Sequence, residues 1–291
     1  MRRITGCSCH LFAVLLAIPA VAQTPAVEEC ATRAAAWIWC DDFEQDRSAS
    51  YFEVQRARGG FTRDAAVGLN GSMGMRARFT AGQIAAGSLH LAFGRTPAPY
   101  FRPVDEGTRD YREIYWRVWV RTDPGWTGGG GYKLSRATVF ADRSWSQAMI
   151  AHVWAGQGAR SEYLVLDPAT GTDARGIVRT QKYNDFKRLR FTGSRKGATA
   201  LFSRERAGRW QCVEAGVVLN DPGQANGRFV LWVDGVEDAR IEQINWLGSY
   251  SAFGVNAVML ENYWNGGAPT EQSRYFDNFV VSTARIGCGT R

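Results

Sequence analysis

From about residue 38 onward the chain reads as a near-continuous series of short strand-like runs broken by Gly, Asn, Asp and Pro clusters, and nothing there carries the helical period. That pattern excludes helix bundles and α/β folds. It leaves two antiparallel β-sheets stacked face to face, a jelly-roll sandwich, as the simplest way to bury so many strand faces. In the run 114–121, Ile114, Trp116, Val118 and Val120 share one face while Tyr115, Arg117, Trp119 and Arg121 share the other, as a strand with one core face requires. The run 147–154 is apolar on both alternating sets, so it is expected at the centre of a sheet and covered on both sides. Further strands are expected at 162–166, 186–191, 199–202, 210–219, 228–233 and 275–283, with Asn220-Asp221-Pro222-Gly223 and Asp234-Gly235 as turns. No internal repeat is present, which argues against a propeller.

Residues 1–22 read as a secretory signal. Arg2 and Arg3 precede the apolar run Leu11 to Ile18, and Ala20-Val21-Ala22 supplies a small-x-small cleavage site. The apolar run is about half of the ~20 residues a spanning helix needs. A lead segment, 23–37, and one domain, 38–291, follow. Cys7 and Cys9 would leave with the signal, and Cys30, Cys40, Cys212 and Cys288 remain, an even number that suits two disulfides in an exported protein. Four cysteines allow three pairings; Cys30–Cys40, pinning the N-terminal segment, and Cys212–Cys288, closing the chain end, are preferred. A zinc site is disfavoured because no Cys-x-x-Cys spacing occurs and only His90 and His152 are left as imidazoles.

The formal charge is +7, and without Arg2 and Arg3 33 basic residues face 28 acidic ones. Such a balance favours polyanionic partners. Nucleic acid is not expected, because no compact Lys/Arg run or nucleic-acid module is visible. The expectation is a secreted monomer, extracellular or periplasmic, without a membrane span.

The C-terminal half carries an ordered set of short motifs: Trp210-x-x-x-Glu214, Val218-Leu219-Asn220-x-Pro222-Gly223, and Gly227-x-Phe229-x-Leu231-Trp232-Val233-Asp234-Gly235. Phe253-Gly254-Val255-Asn256, Tyr263-Trp264 and Tyr275-Phe276-Asp277-Asn278-Phe279 follow. Together they resemble the concanavalin A-like jelly-roll polysaccharide lyases of the alginate-lyase and glucuronan-lyase type. Tyr132-Lys133-Leu134, after Gly128, is similar to the Gly-Gly-Lys-Leu-Pro-Gly segment of those enzymes. The resemblance spans roughly residues 110 to 285. Two features of the alginate type depart. Its Ser-x-Arg pair before a Trp is replaced by Met149-Ile150-Ala151-His152-Val153-Trp154, and of its Tyr-x-Tyr pair only Tyr163 is kept.

The resemblance implies β-elimination on a uronate-containing polysaccharide, which needs a cation at the carboxylate, a base for the C5 proton and an acid for the leaving oxygen. Lys133 is expected at the carboxylate with help from Arg136 or Arg143, and Arg117 is expected among the substrate-binding residues. His152 and Tyr163 are expected to move protons. Trp119, Trp154, Tyr263 and Trp264 are expected to stack on sugar rings, and Asn256 and Asn262 to bind hydroxyls. Each has a plainer reading, as core aromatic, turn amide or surface charge. Hydrolysis is disfavoured because the close-spaced Glu-x-Asp-x-Glu strand of jelly-roll glucanases is absent, and Glu214 reads as structural support. No cofactor is required. A structural calcium ion is conceivable where Asp42 and Glu44 meet Asp277, if the first and last strands pair. The alternative to an enzyme is a non-catalytic carbohydrate-binding jelly roll.

Overall fold

The computed structural model describes residue 1 and residues 29–289, less 129–131 and 159–160. The expected signal segment, with Cys7 and Cys9, therefore lies outside the described residues. The strands are β1 (Trp37–Asp41), β2 (Glu53–Gln55), β3 (Phe61–Asp64), β4 (Gly74–Phe79), β5 (Ala85–Ala92), β6 (Glu113–Thr122), β7 (Tyr132–Phe140) and β8 (Gln147–Ala155). They continue with β9 (Leu164–Thr170), β10 (Arg190–Phe191), β11 (Arg195–Lys196), β12 (Gln211–Val218), β13 (Gly227–Val233), β14 (Val236–Ile244), β15 (Ala257–Trp264) and β16 (Gln272–Ser282). Among the described residues the helical structure is confined to short 3-10 turns, and no helix is long and apolar enough to cross a membrane.

Two antiparallel sheets result. The first runs β14-β13-β12-β6-β16-β4-β3, with β1 also on β16; the second runs β10-β9-β8-β7-β15-β5-β2, with β11 also on β9. The first and last strands do pair, Cys40 opposite Val280. Between β13 and β14 the chain reverses through Asp234 and Gly235, both at positive φ (50° and 82°), with Val233 opposite Val236. That is the two-residue hairpin turn whose twist matches the strands.

The alternation in β6 is realised as read. Ile114, Trp116, Val118 and Val120 enter the core between the sheets, and the Trp116 indole donates to Ser135 Oγ across the sandwich at 2.9 Å. The opposite face of β6 is not a groove. Arg117 is fully buried there, paired with Glu29 at 2.5 Å, and Trp119 packs with Leu69, Trp210, Cys212 and Cys288. The N-terminal segment and the C-terminal tail cover this face, tied down by the disulfides Cys30–Cys40 and Cys212–Cys288. Glu214 helps hold the tail, accepting from the backbone N–H of Ile286 and Gly287. The expectation that Arg117 and Trp119 bind sugar is thereby corrected: both side chains are buried under the chain termini on the outer face of the first sheet.

One polar device crosses the core. Arg274 of β16 points inward and is fully buried; its guanidinium donates to the carbonyls of Lys133 and Glu261, each at 2.7 Å, and to Asn262 Oδ1 at 2.8 and 3.0 Å. The pairing of β15 with β7 shifts register between Leu260 and Tyr263, and that of β7 with β8 between Lys133 and Ser135. Carbonyls released by such irregularities need partners, and Arg274 supplies them from the facing sheet.

Candidate functional site

The outer face of the second sheet carries a groove of about 630 Å³. Cross-strand register sets its floor. One row runs Tyr263, Lys133, Trp154, Val165 over β15, β7, β8 and β9, and a second runs Glu53, His90, Met259, Arg136, His152, Asp167 from β2 to β9. A wall comes from the segment between β9 and β10. Gln147 anchors it, its Oε1 accepting from Asn184 N (2.9 Å) and its carbonyl accepting from Thr180 Oγ1 (2.9 Å), which brings Tyr183 and Asn184 over the sheet.

At the centre lies a buried charge cluster. Arg136, with no exposure, donates to Glu261 Oε1 (2.9 Å), to Asn184 Oδ1 (2.7 Å) and to the Tyr183 hydroxyl. Lys133, 5% exposed, has its Nζ 3.9 Å from Glu261 Oε1 and 4.8 Å from the centre of the Tyr263 ring. Burial alone would push the Glu261 carboxyl up, but Arg136 and Lys133 outweigh it and hold it below the usual carboxylate range. Burial lowers Lys133, with Glu261 opposing and Arg136 adding to the fall. Two cations against one carboxylate leave the cluster net positive.

His90 lines the groove beside this cluster. Its Nε2 is 3.0 Å from Ser88 Oγ, its Nδ1 is 3.8 Å from Glu53 Oε2, and burial brings its pKa down to about 4, so the ring is neutral at pH 7. Its ring centre is 6.4 Å from that of Tyr183. Burial raises the Tyr183 hydroxyl above its ordinary value, which keeps it protonated.

Of the residues expected from sequence, Lys133, Arg136, Trp154 and Tyr263 meet here. His152 does not reach the groove. It is 1% exposed beneath Trp154, the rings parallel (4°) and 4.2 Å apart, and its Nδ1 is tied to the Asp167 carbonyl at 3.1 Å. Burial drops its pKa well below 6.5. Tyr163 stands apart too, before β9, with Lys196 Nζ 3.5 Å over its ring. Trp264 faces the core against Phe79 and Trp126. Asn256 is buried and spent on the backbone of Phe140, with Phe140 N donating to its Oδ1 and its Nδ2 donating to the Phe140 carbonyl. Asn262 borders the groove, but its amide oxygen is bound to Arg274.

Asp42, Glu44 and Asp277 do not converge as metal ligands. Glu44 accepts from Met73 N, Asp277 accepts from Leu69 N, Ser72 Oγ and Asn278 N, and among the described residues no group of three His, Cys, Asp or Glu side chains is placed to hold an ion. Their oxygens serve turns instead.

His90, Tyr183, Asn184 and Glu261 were missed as site residues. His90 could have been picked out as one of only two imidazoles beyond residue 22, placed in an apolar strand. Tyr183 and Asn184 lie in a turn-rich segment whose fold over the sheet depends on the distant Gln147.

No protein-family model matches the chain, and a search of curated proteins found no match. Solved structures do resemble it. A marine alginate lyase from Aplysia kurodai superposes with a TM-score of 0.59 at 12% identity, covering 86% of this chain and 100% of the other. An endo-β-1,4-glucuronan lyase from the fungus Trichoderma reesei gives 0.57 at 13% identity, with 85% and 96% covered. An alginate lyase from a Chlorella virus gives 0.54 at 12%, with 81% and 94% covered. At such identities the likeness is one of fold, and that fold is the jelly roll of these polysaccharide lyases.

Proposed function

We propose that this is an exported protein that binds a uronate-containing polysaccharide along the outer face of its second sheet and cleaves it by β-elimination. The observation that carries the reading is the convergence of Lys133, Arg136, Tyr183 and His90 between the aromatic walls Tyr263 and Trp154. The two disulfides and the signal-like N-terminus support export.

In this reading Lys133 and the Asn184 amide meet the uronate carboxylate and stabilise negative charge as it spreads from C5. Neutral His90 takes the C5 proton. The electron pair left on C5 forms the C4–C5 double bond, the C4–O bond breaks, and the leaving oxygen takes a proton from the Tyr183 hydroxyl. Arg136 orients that hydroxyl and favours its anion after transfer. His152 and Tyr163 have no part, since neither lines the groove. A non-catalytic carbohydrate-binding groove is the second reading; Glu261 favours it, because it already engages both cations.

The test is the ultraviolet absorbance of unsaturated uronate when the protein meets a panel of acidic polysaccharides. Cleavage is expected, with a loss of about a hundredfold or more in Tyr183→Phe and Lys133→Ala. Retention on an acidic-glycan gel without absorbance would favour the binding groove. Neither cleavage nor retention would refute both readings.

A further inference from the structure

Beyond Trp154 the groove continues into a second compartment of about 390 Å³, which shares Trp154 and Asn265 with the first. Its chemistry is opposite. Among the described residues its one charged lining side chain is Asp167, accompanied by Gln157, Ser194 and Asn265. Of the cations on the neighbouring β11, Lys196 lies over Tyr163 and donates to the Gly197 carbonyl, and Arg195 lines an adjoining hollow that also holds Glu237 and Asp238 and shares Ser194 with this compartment.

We propose that the groove reads a two-sugar unit, a uronate over Lys133 followed across Trp154 by a sugar without a carboxylate, neutral or amino, over Asp167. This rests on the uronate reading above and narrows it to heteropolymers in which uronates do not adjoin.

The register makes the two compartments successive. Lys133, Trp154 and Val165 stand opposite one another on β7, β8 and β9, and Asp167 is the next residue on the same face of β9. Neighbouring strands are about 4.8 Å apart, so a chain lying along this row passes from the cationic pocket over the Trp154 edge to Asp167. Trp154 is held in place as a divider, stacked on His152 beneath and hydrogen-bonded through its indole to the Asp167 side chain. Burial lifts the Asp167 carboxyl to about 6, the Trp154 bond partly offsetting, so it is mostly ionised at pH 7. A second uronate here would set two carboxylates together in a partly desolvated pocket, a repulsive element of the kind that rejects a wrong ligand. Hydroxyls or an ammonium group would instead find acceptors and amides.

The experiment measures binding by calorimetry, so that it is independent of turnover, using size-matched oligosaccharides of alginate and glucuronan against those of hyaluronan and heparosan, in which uronate alternates with an amino sugar derivative. The wild type is expected to prefer the alternating oligosaccharides. Asp167→Asn and, separately, Ser194→Lys at an exposed position of the same compartment should each raise homopolyuronate affinity by about tenfold or more, a shift typical of one charged contact. A wild-type preference for homopolyuronates, or unchanged ratios in both variants with native circular dichroism, would overturn the proposal while leaving the uronate reading intact. Absence of binding to all four would overturn both.

Discussion

At the residue scale, Arg274 matters as much to the groove as the side chains that line it. It reaches from the first sheet to the carbonyls of Lys133 and Glu261, the two residues of opposite charge at the centre of the site. Arg274→Met would leave those carbonyls and the Asn262 oxygen buried without a donor, at roughly 1–3 kcal/mol for each unsatisfied group. The expected net loss in urea unfolding is about 3 kcal/mol, with Arg274→Lys intermediate because an ammonium cannot reproduce the guanidinium fork. Stability within about 0.5 kcal/mol of wild type in the Met variant would show that water or neighbouring groups replace the fork. None of this was legible in the sequence, where Arg274 stands in an ordinary strand and the resemblance pointed to its neighbours. Lys133 was legible because a motif carried it, and Trp154 and Tyr263 because aromatics suit sugars. His152 was misjudged for a physical reason: the double-sided apolar character of its strand, correctly read as burial, also buries the imidazole.

At the element scale, the runs read from sequence land on β6, β8, β9, β12, β13 and β16 and touch β10, out of sixteen strands among the described residues, and they could not say which outer face is open. The run 114–121 became β6 (Glu113–Thr122) almost unchanged, yet its polar face lies under the chain termini. The run 162–166 stopped short of Pro168, whereas β9 continues through it to Thr170. Proline is tolerated there because the outer neighbours β10 and β11 are two-residue strands, and Thr192 N still donates to the Pro168 carbonyl at 3.0 Å. The run 199–202 is a turn, not a strand; Leu201 and Phe202 are apolar because the turn docks on the core. The tail over β6 makes its own prediction. Cys212–Cys288 closes 76 residues and Cys30–Cys40 closes 10, so chain entropy assigns about 4.5 kcal/mol to the first and about 2.7 kcal/mol to the second. Paired Cys→Ala variants in urea should keep that order. A larger cost for losing Cys30–Cys40 would mean that the N-terminal segment, with its Glu29–Arg117 pair, contributes more than the entropy it restricts.

At the scale of the whole molecule, buried titratable groups set how stability depends on pH, and they pull in opposite directions. Burial raises Asp277 to about 7 and Asp41 to about 6, hydrogen bonds only partly offsetting, so the folded protein holds these protons more tightly than the unfolded chain. For Asp277 stability therefore falls as pH rises from 3.8 to about 7. The histidines act the other way. His90, depressed to about 4, and His152, well below 6.5, take protons first in the unfolded chain, so stability falls as pH drops from 6.5 toward 4. The two effects oppose each other over the same interval, and the wild type should show a shallow profile there. His152→Phe removes one acid-side loss while keeping a ring against Trp154; its urea midpoint should decline more steeply than that of the wild type as pH rises through the interval. Asp277→Asn should do the reverse. The amide cannot accept all the backbone bonds of the carboxylate, so its midpoint will be lower throughout, but that offset is independent of pH and leaves the slope as the readout. Parallel profiles for both variants and the wild type would mean that these groups titrate alike in the folded and unfolded states, and that the pH response of the fold comes from the Arg136–Glu261–Lys133 cluster instead.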